Sequence, residues 1–345
     1  MADPAVQKSI LKLMLGLPTP VLRMLSGGGV VYKNGRTLDP RFQFFAAQAR
    51  NQPPMSSVTA VEARAASHAG FSLTNGKLEP GVRVENLSVE GPNGAVPTRV
   101  YRPDNQDPAA SALVYLHMGG GVIGDLDTCH TFCSVLARIV RCAVISVDYR
   151  LAPEYRHPAG LDDCLAAYRH VRDHATEFGA PAGKVAVGGD SMGGYFSAII
   201  AQEMKRTGEA QPAYQLLIYP CVDVASETRS MTVHGDDYPL TTEVMTWFMA
   251  QYLTPECDPA DPRLSPGRNP DLTGLAPAII ATAGFDPLTD QGEDYAKALK
   301  AAGNQVVFRR YDSLPHAFTA FGLVPSADEA CREIASLVRT QVAQA

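Results

Sequence analysis

The seven cysteines of this 345-residue sequence are an odd number, and no two are spaced Cys-x-x-Cys. Both a secreted disulfide framework and a zinc ribbon are therefore disfavoured; scattered cysteines read as small buried hydrophobes in a reducing, cytoplasmic compartment. Neither sign of charge dominates, since thirty Lys+Arg face thirty-six Asp+Glu for a net charge of −6. That balance gives no general attraction to nucleic acid or to anionic membranes. No run approaches the ~20 apolar residues that a membrane span requires. Residues 9–25 carry Lys12 and Arg23, are broken by Pro18 and Pro20, and have no small-residue cleavage site after a clean apolar run. They read as an amphipathic helix followed by a turn, not as a signal peptide. Repeats and low-complexity tracts are missing too, while a 46% hydrophobic content supplies a large core and argues against disorder.

What is present is an alternation of two patterns. Residues 1–70 are helical or irregular, punctuated by prolines and by Gly27 to Gly29. Val82, Val84, Leu87 and Val89 then lead into Gly91-Pro92-Asn93-Gly94 and a second alternating run to Arg102, a hairpin signal. Short apolar runs follow at 112–116, 143–147, 185–187, 215–219, 278–282 and 306–311. Runs apolar on both faces suit strands of a parallel sheet covered on both sides. Stretches of helical spacing separate them, as at 161–171, 195–204 and 330–338, so βαβ units are expected. The segment 222–270 is too long for a simple connection and contains a helical piece at 244–252; insertions of this kind commonly form lids.

Gly189-Asp190-Ser191-Met192-Gly193 follows one apolar run and opens a helical one. Gly-x-Ser-x-Gly in that setting is the nucleophile elbow, a strand-to-helix turn so tight that its flanking positions must be glycine. Glycine-rich turns also bind phosphates, but neither Gly-x-Gly-x-x-Gly nor a Walker lysine is present. A serine nucleophile needs a histidine base held by a carboxylate, and where the serine sits on a nucleophile elbow these follow in the chain order acid then histidine. Asp286 and His316 each fall just past an apolar run in that order. His117-Met118-Gly119-Gly120-Gly121 lies some seventy residues upstream and offers the free backbone N–H groups of an oxyanion hole. Asp148, Glu154 and Asp190 read as loop- and turn-fixing residues, Asp162 and Asp163 as first-turn acids, and His130, His157, His170, His174 and His234 as surface histidines. Phe42, Phe44, Phe45, Trp247, Phe248 and Tyr252 read as core or cap aromatics, some of which could line an acyl cavity.

With Asp148-Tyr149-Arg150-Leu151-Ala152-Pro153-Glu154, Asp286-Pro287-Leu288 and His316-Ala317-Phe318, these motifs make residues 80–343 resemble the hormone-sensitive-lipase family of bacterial carboxylesterases, which have an HGGG loop and a GDSAGG elbow. The resemblance implies an α/β-hydrolase fold: a mostly parallel eight-stranded sheet flanked by helices, under a helical cap. The cap would comprise residues 1–50 and 222–270, and the catalytic domain 51–221 and 271–345. It implies a catalytic triad of Ser191, Asp286 and His316. The chain departs from the family at two points, with Met118 on the first HGGG glycine and Gly121 on the usual aromatic. A gap-free alignment puts the oxyanion donors on the N–H groups of Gly119, Gly120 and Met192; were Met118 an insertion, Gly120 and Gly121 would replace the first two. A methionine at 118 would strain a backbone that wants positive φ, and losing the aromatic at 121 should widen or loosen the pocket wall. The expected activity is hydrolysis of short- to medium-chain acyl esters through an acyl-enzyme, with no metal and no cofactor. Amidases, lactonases and deacetylases use the same triad. A non-catalytic receptor on the same fold is disfavoured by the retained His316. The expected partner is a small-molecule ester, with a homodimer left open.

Overall fold

A computed structural model describes residues 3–342. Eight strands form the main sheet: β1 (Val82–Gly91), β2 (Gly94–Pro103), β3 (Ala112–Leu116), β4 (Val144–Val147), β5 (Val185–Asp190), β6 (Gln215–Ile218), β7 (Ala278–Phe285) and β8 (Val306–Pro315). Their spatial order is β1-β2-β4-β3-β5-β6-β7-β8. The first two pair as an antiparallel hairpin closed at Gly91 and Gly94, and β2 runs antiparallel to β4. All other pairs are parallel.

The central strands β3 to β7 are buried along their whole length. Side chains alternate across a strand, so β3 sends Leu113 and Tyr115 into one apolar core and Ala112, Val114 and Leu116 into the other. Each large aliphatic side chain buried this way stabilises by ~1.5–3 kcal/mol. The strand β8 departs from the expectation of burial on both faces. It is the sheet edge, and Phe308 is exposed. On one side of the sheet lie α5 (His130–Leu136) and α11 (Pro325–Val342); α6 (Ala159–Asp173) and α7 (Met192–Thr207) contribute to the other core.

The N-terminal region has the expected helix and turn, and a second short helix follows the turn. Helix α1 (Pro4–Leu15) stops at Gly16, and α2 (Thr19–Leu25) starts again after Pro18. Proline has no N–H to continue a helix but suits its first turn, and Pro20 takes that place in α2. Helix α3 (Pro40–Ala49) follows. A further helix, α4 (Ala60–Thr74), begins with a capping box in which Thr59 accepts from the Glu62 amide and Glu62 from the Thr59 amide. Residues 222–270 carry α8 (Arg229–His234) and α9 (Thr242–Tyr252); α10 (Thr289–Ala301) lies beyond β7. No helix among the described residues is long and apolar enough to cross a membrane.

Candidate active site

The carboxyl ends of β5, β7 and β8 place three side chains together. β5 ends at Asp190 and α7 begins at Met192, which leaves Ser191 alone in the turn with φ 54° and ψ −114°. A non-glycine residue there stores ~1–3 kcal/mol of strain that the surroundings must hold. They can hold it because the chain crosses itself closely: a Cβ at Gly193 would overlap the carbonyl oxygen of Leu116, as would one at Gly189. The serine hydroxyl is thereby presented at the N-terminal end of α7, where unsatisfied amides favour negative charge.

Asp286 directly follows β7 and is fully buried. Its Oδ1 accepts from the Leu288 amide at 2.8 Å, and its Oδ2 lies 2.7 Å from His316 Nδ1. An ionised carboxylate is an acceptor only, so Nδ1 carries the proton and Nε2 is left as the acceptor. That Nε2 is 2.9 Å from Ser191 Oγ. The three residues named from sequence thus form one hydrogen-bonded chain, buried at 8%, 5% and 0% exposure for Ser191, His316 and Asp286.

The loop after β3 lines the same cavity. His117 Nδ1 donates to the Met118 carbonyl at 2.7 Å, and the Gly119 carbonyl accepts from the amides of Val122 and Ile123 at 2.9 and 3.0 Å. In a trans peptide C=O and N–H point in opposite directions. Tying these two carbonyls back aims the N–H groups of Gly119 and Gly120 the other way. Met118, Gly119, Gly120, Ser191, Met192 and His316 all line the cavity. Gly121 is not among the residues lining it. Positive φ begins at Gly119 (125°) and continues through Gly120 and Gly121, whereas Met118 is not among the positive-φ residues. The strain expected at Met118 is therefore not found.

Gly121 is closely packed from behind. A Cβ there would lie 2.8 Å from the Tyr252 ring, so α9 supplies the aromatic that the loop lacks. Phe248, one turn earlier, packs directly on Gly120. Phe248, Phe44 and Phe45 line the cavity, while Phe42 is buried beneath.

Asp190 is more than a turn residue. It is wholly buried and accepts from Thr319 Oγ1 at 2.6 Å and Tyr219 Oη at 3.0 Å, with the Cys129 thiol at 3.5 Å. It joins the elbow to the end of β6 and to the turn that carries His316. Burial, with the Asp190 charge, pushes the Cys129 and Cys133 thiols well up, so neither is a thiolate. Burial also raises the Asp148 carboxyl. Asp163 holds Arg150 through both oxygens at 2.8 Å. The histidines expected at the surface do not all lie there: His234 is completely buried and bonded to Asp237 at 2.7 Å, and His130 meets Tyr101 Oη at 2.7 Å. Among the described residues, His68, Asp125 and Asp127 have the spacing of metal ligands, but Arg99 pairs with Asp127 at 2.5 Å and His68 with Asp125 at 2.7 Å.

The cavity above Ser191 has a volume of about 1050 Å³, just above the roughly 300–1,000 Å³ usual for small-molecule sites. Six of the chain's ten methionines line it: Met55, Met118, Met192, Met231, Met245 and Met249. No lysine or arginine is among the described residues of its wall.

A buried Ser-His-Asp chain at the carboxyl edge of such a sheet defines a serine hydrolase. A family described as having the alpha/beta hydrolase fold matches residues 113–320. The chain is 41% identical over 343 residues to the carboxylic ester hydrolase LipN of Mycobacterium tuberculosis, covering 96% of this chain and 91% of that one. It is 38% identical to an ethyl acetate hydrolase of Pseudomonas putida, over 80% and 88% of the two chains. Among solved structures, a hyperthermophilic esterase of Pyrobaculum calidifontis superposes with a TM-score of 0.82 at 34% identity, over 88% of this chain and 98% of that one. This chain belongs to the hormone-sensitive-lipase family of α/β-hydrolases and is a carboxylic ester hydrolase.

Proposed function

We propose that Ser191, His316 and Asp286 hydrolyse neutral esters of short- to medium-chain acids, with the N–H groups of Gly119, Gly120 and Met192 as the oxyanion hole. The observation that carries the reading is the continuous chain Asp286–His316–Ser191 at 2.7 and 2.9 Å. Ser191 Oγ attacks the ester carbonyl as His316 Nε2 takes its proton, and the three amides meet the oxyanion. One such donor commonly contributes ~2.7–4 kcal/mol. The tetrahedral species collapses, its C–O bond breaks, and His316 returns the proton to the leaving alcohol. Water then repeats the sequence on the acyl-enzyme, and His316 again carries the proton.

The cavity supports the substrate class. Its apolar wall suits an acyl chain, and flexible thioethers adapt to chains of different shape. An acyl group carrying a carboxylate would lose its hydration with no lysine or arginine among the described wall residues to replace it. The cap reading assigns residues 1–50 and 222–270 to the roof, and α4 lines the cavity with them through Ala63, Ala66 and Phe71. The seven unpaired thiols, five of them buried, support a reducing, cytoplasmic setting.

The test is a kcat/KM profile over p-nitrophenyl esters from acetate to decanoate, with p-nitroanilides, lactones and a hemisuccinate ester alongside. The reading expects a maximum among the neutral short and medium esters, with the hemisuccinate slower by about tenfold or more. Faster turnover of anilides or lactones, or of the anionic ester, would overturn the assignment.

A further inference from the structure

The oxyanion loop is held from both sides, and one holder comes from the helix above it. Arg64 on α4 donates through Nε to the Val122 carbonyl at 2.8 Å and through Nη2 to the Ala152 carbonyl at 2.6 Å. The Ala152 amide in turn donates to the Gly121 carbonyl at 2.8 Å. A single guanidinium therefore bridges residues 122 and 152, and residue 152 closes the ring onto residue 121. With His117 on the Met118 carbonyl and two amides on that of Gly119, the carbonyls of residues 118, 119, 121 and 122 are all engaged in hydrogen bonds. The remaining Arg64 donors reach Glu154 at 2.9 and 2.5 Å. Glu154 is more exposed than Arg64, and its carboxyl is held below the ordinary range by the hydrogen bond from Arg64.

We propose that Arg64 is a positioning residue for the oxyanion hole, through which α4 sets the geometry of the loop carrying Gly119 and Gly120. This rests on the reading of that loop as the hole. The geometry favours arginine. One rigid planar fork meets two carbonyls in different segments and Glu154 at once, whereas a lysine ammonium has three donors on a single nitrogen and cannot span all three partners in fixed geometry. The exposed pair with Glu154 orients the guanidinium and adds little by itself. Tetrahedral species occur in both acylation and deacylation, so a displaced hole slows both steps; ground-state binding, governed by the apolar wall, changes little.

The experiment compares Arg64→Met, Arg64→Lys, Arg64→Ala and Glu154→Gln on the full chain with p-nitrophenyl butyrate, with circular dichroism as the check on folding. Arg64→Met is expected to lower kcat at least tenfold with KM within threefold of the parent. Arg64→Lys should recover part of the loss and Glu154→Gln should stay within about twofold. Added guanidinium ion should raise kcat of Arg64→Ala and leave the parent unchanged. A higher KM with kcat intact, or equal losses in Glu154→Gln and Arg64→Met, would overturn the proposal. Ser191→Ala run alongside keeps the two questions apart. Activity retained there refutes the site itself, whereas an inactive Ser191→Ala beside a fully active Arg64→Met refutes the role of Arg64 alone.

Discussion

Replacing Asp286 with asparagine exchanges one oxygen of a fully buried carboxylate for an NH2 group, and the structure dictates how the replacement must sit. The Leu288 amide at 2.8 Å demands an acceptor at the Oδ1 position. The amide oxygen of asparagine therefore takes that place and its NH2 faces His316 Nδ1. Two donors cannot share a hydrogen bond, so Nδ1 gives up its proton and the neutral ring carries it on Nε2. The atom 2.9 Å from Ser191 Oγ then offers a hydrogen where the serine needs an acceptor. Reversing the tautomer in this arrangement lowers kcat by about 10⁴, or roughly 5.4 kcal/mol of barrier at 1.36 kcal/mol per tenfold. Asp286 is not among the residues lining the cavity, so KM should stay close to that of the parent. The assay is initial-rate hydrolysis of p-nitrophenyl butyrate by Asp286→Asn, with near-ultraviolet circular dichroism to confirm native packing. A folded variant whose kcat lies within tenfold of the parent would refute the orientation argument.

Two other expectations rest on separate parts of the molecule. Gly120→Ala places a methyl against the Phe248 ring at a residue with φ 61°, so the loop must move, and activity should fall about 10²–10³-fold, the loss typical of one oxyanion donor; Gly120→Ala with Phe248→Ala should recover only part of it, because the φ strain remains, and full recovery would contradict the account. Glu209 is held at about 2 against an ordinary 4.5, chiefly by its hydrogen bond from Arg169. A depressed carboxyl stabilises the fold above its unfolded pKa and loses that contribution as pH falls from about 4.5 through 2. Glu209→Gln should therefore lower Tm at pH 7, with the difference from the parent closing on acidification; a gap that widened would reverse the sign of the argument.

Much of the fold was legible because burial leaves a mark on composition. Ala112 to Leu116 and Ala278 to Thr282 read as strands covered on both faces and are buried throughout. The elbow was legible for a steric reason, since Gly189 and Gly193 sit where a Cβ would strike Leu116. The parts that stayed hidden depend on contacts between distant segments. Arg64 lies 58 positions from Val122 and 90 from Glu154, and no local pattern marks it. The signal that could have located its helix is the capping-box pattern Thr59-x-x-Glu62. The packing of Tyr252 on Gly121 stayed hidden because the helical piece at 244–252 is legible in the sequence but its path over the loop is not. Asp190 looked like a turn residue because its partners Tyr219 and Thr319 come from two other strand ends.

The proposed reaction requires Ser191 Oγ to be the attacking atom. An aryl alkylphosphonate titrated against the protein forms a P–O bond to the attacking oxygen and expels the phenolate, and mass spectrometry of the digested protein locates the adduct. One adduct per chain on the peptide containing Ser191, appearing in step with the loss of esterase activity and missing from Ser191→Ala, is the predicted result. Inactivation with the label on another residue, or a Ser191→Ala variant that still hydrolyses esters at the parental rate, would contradict it.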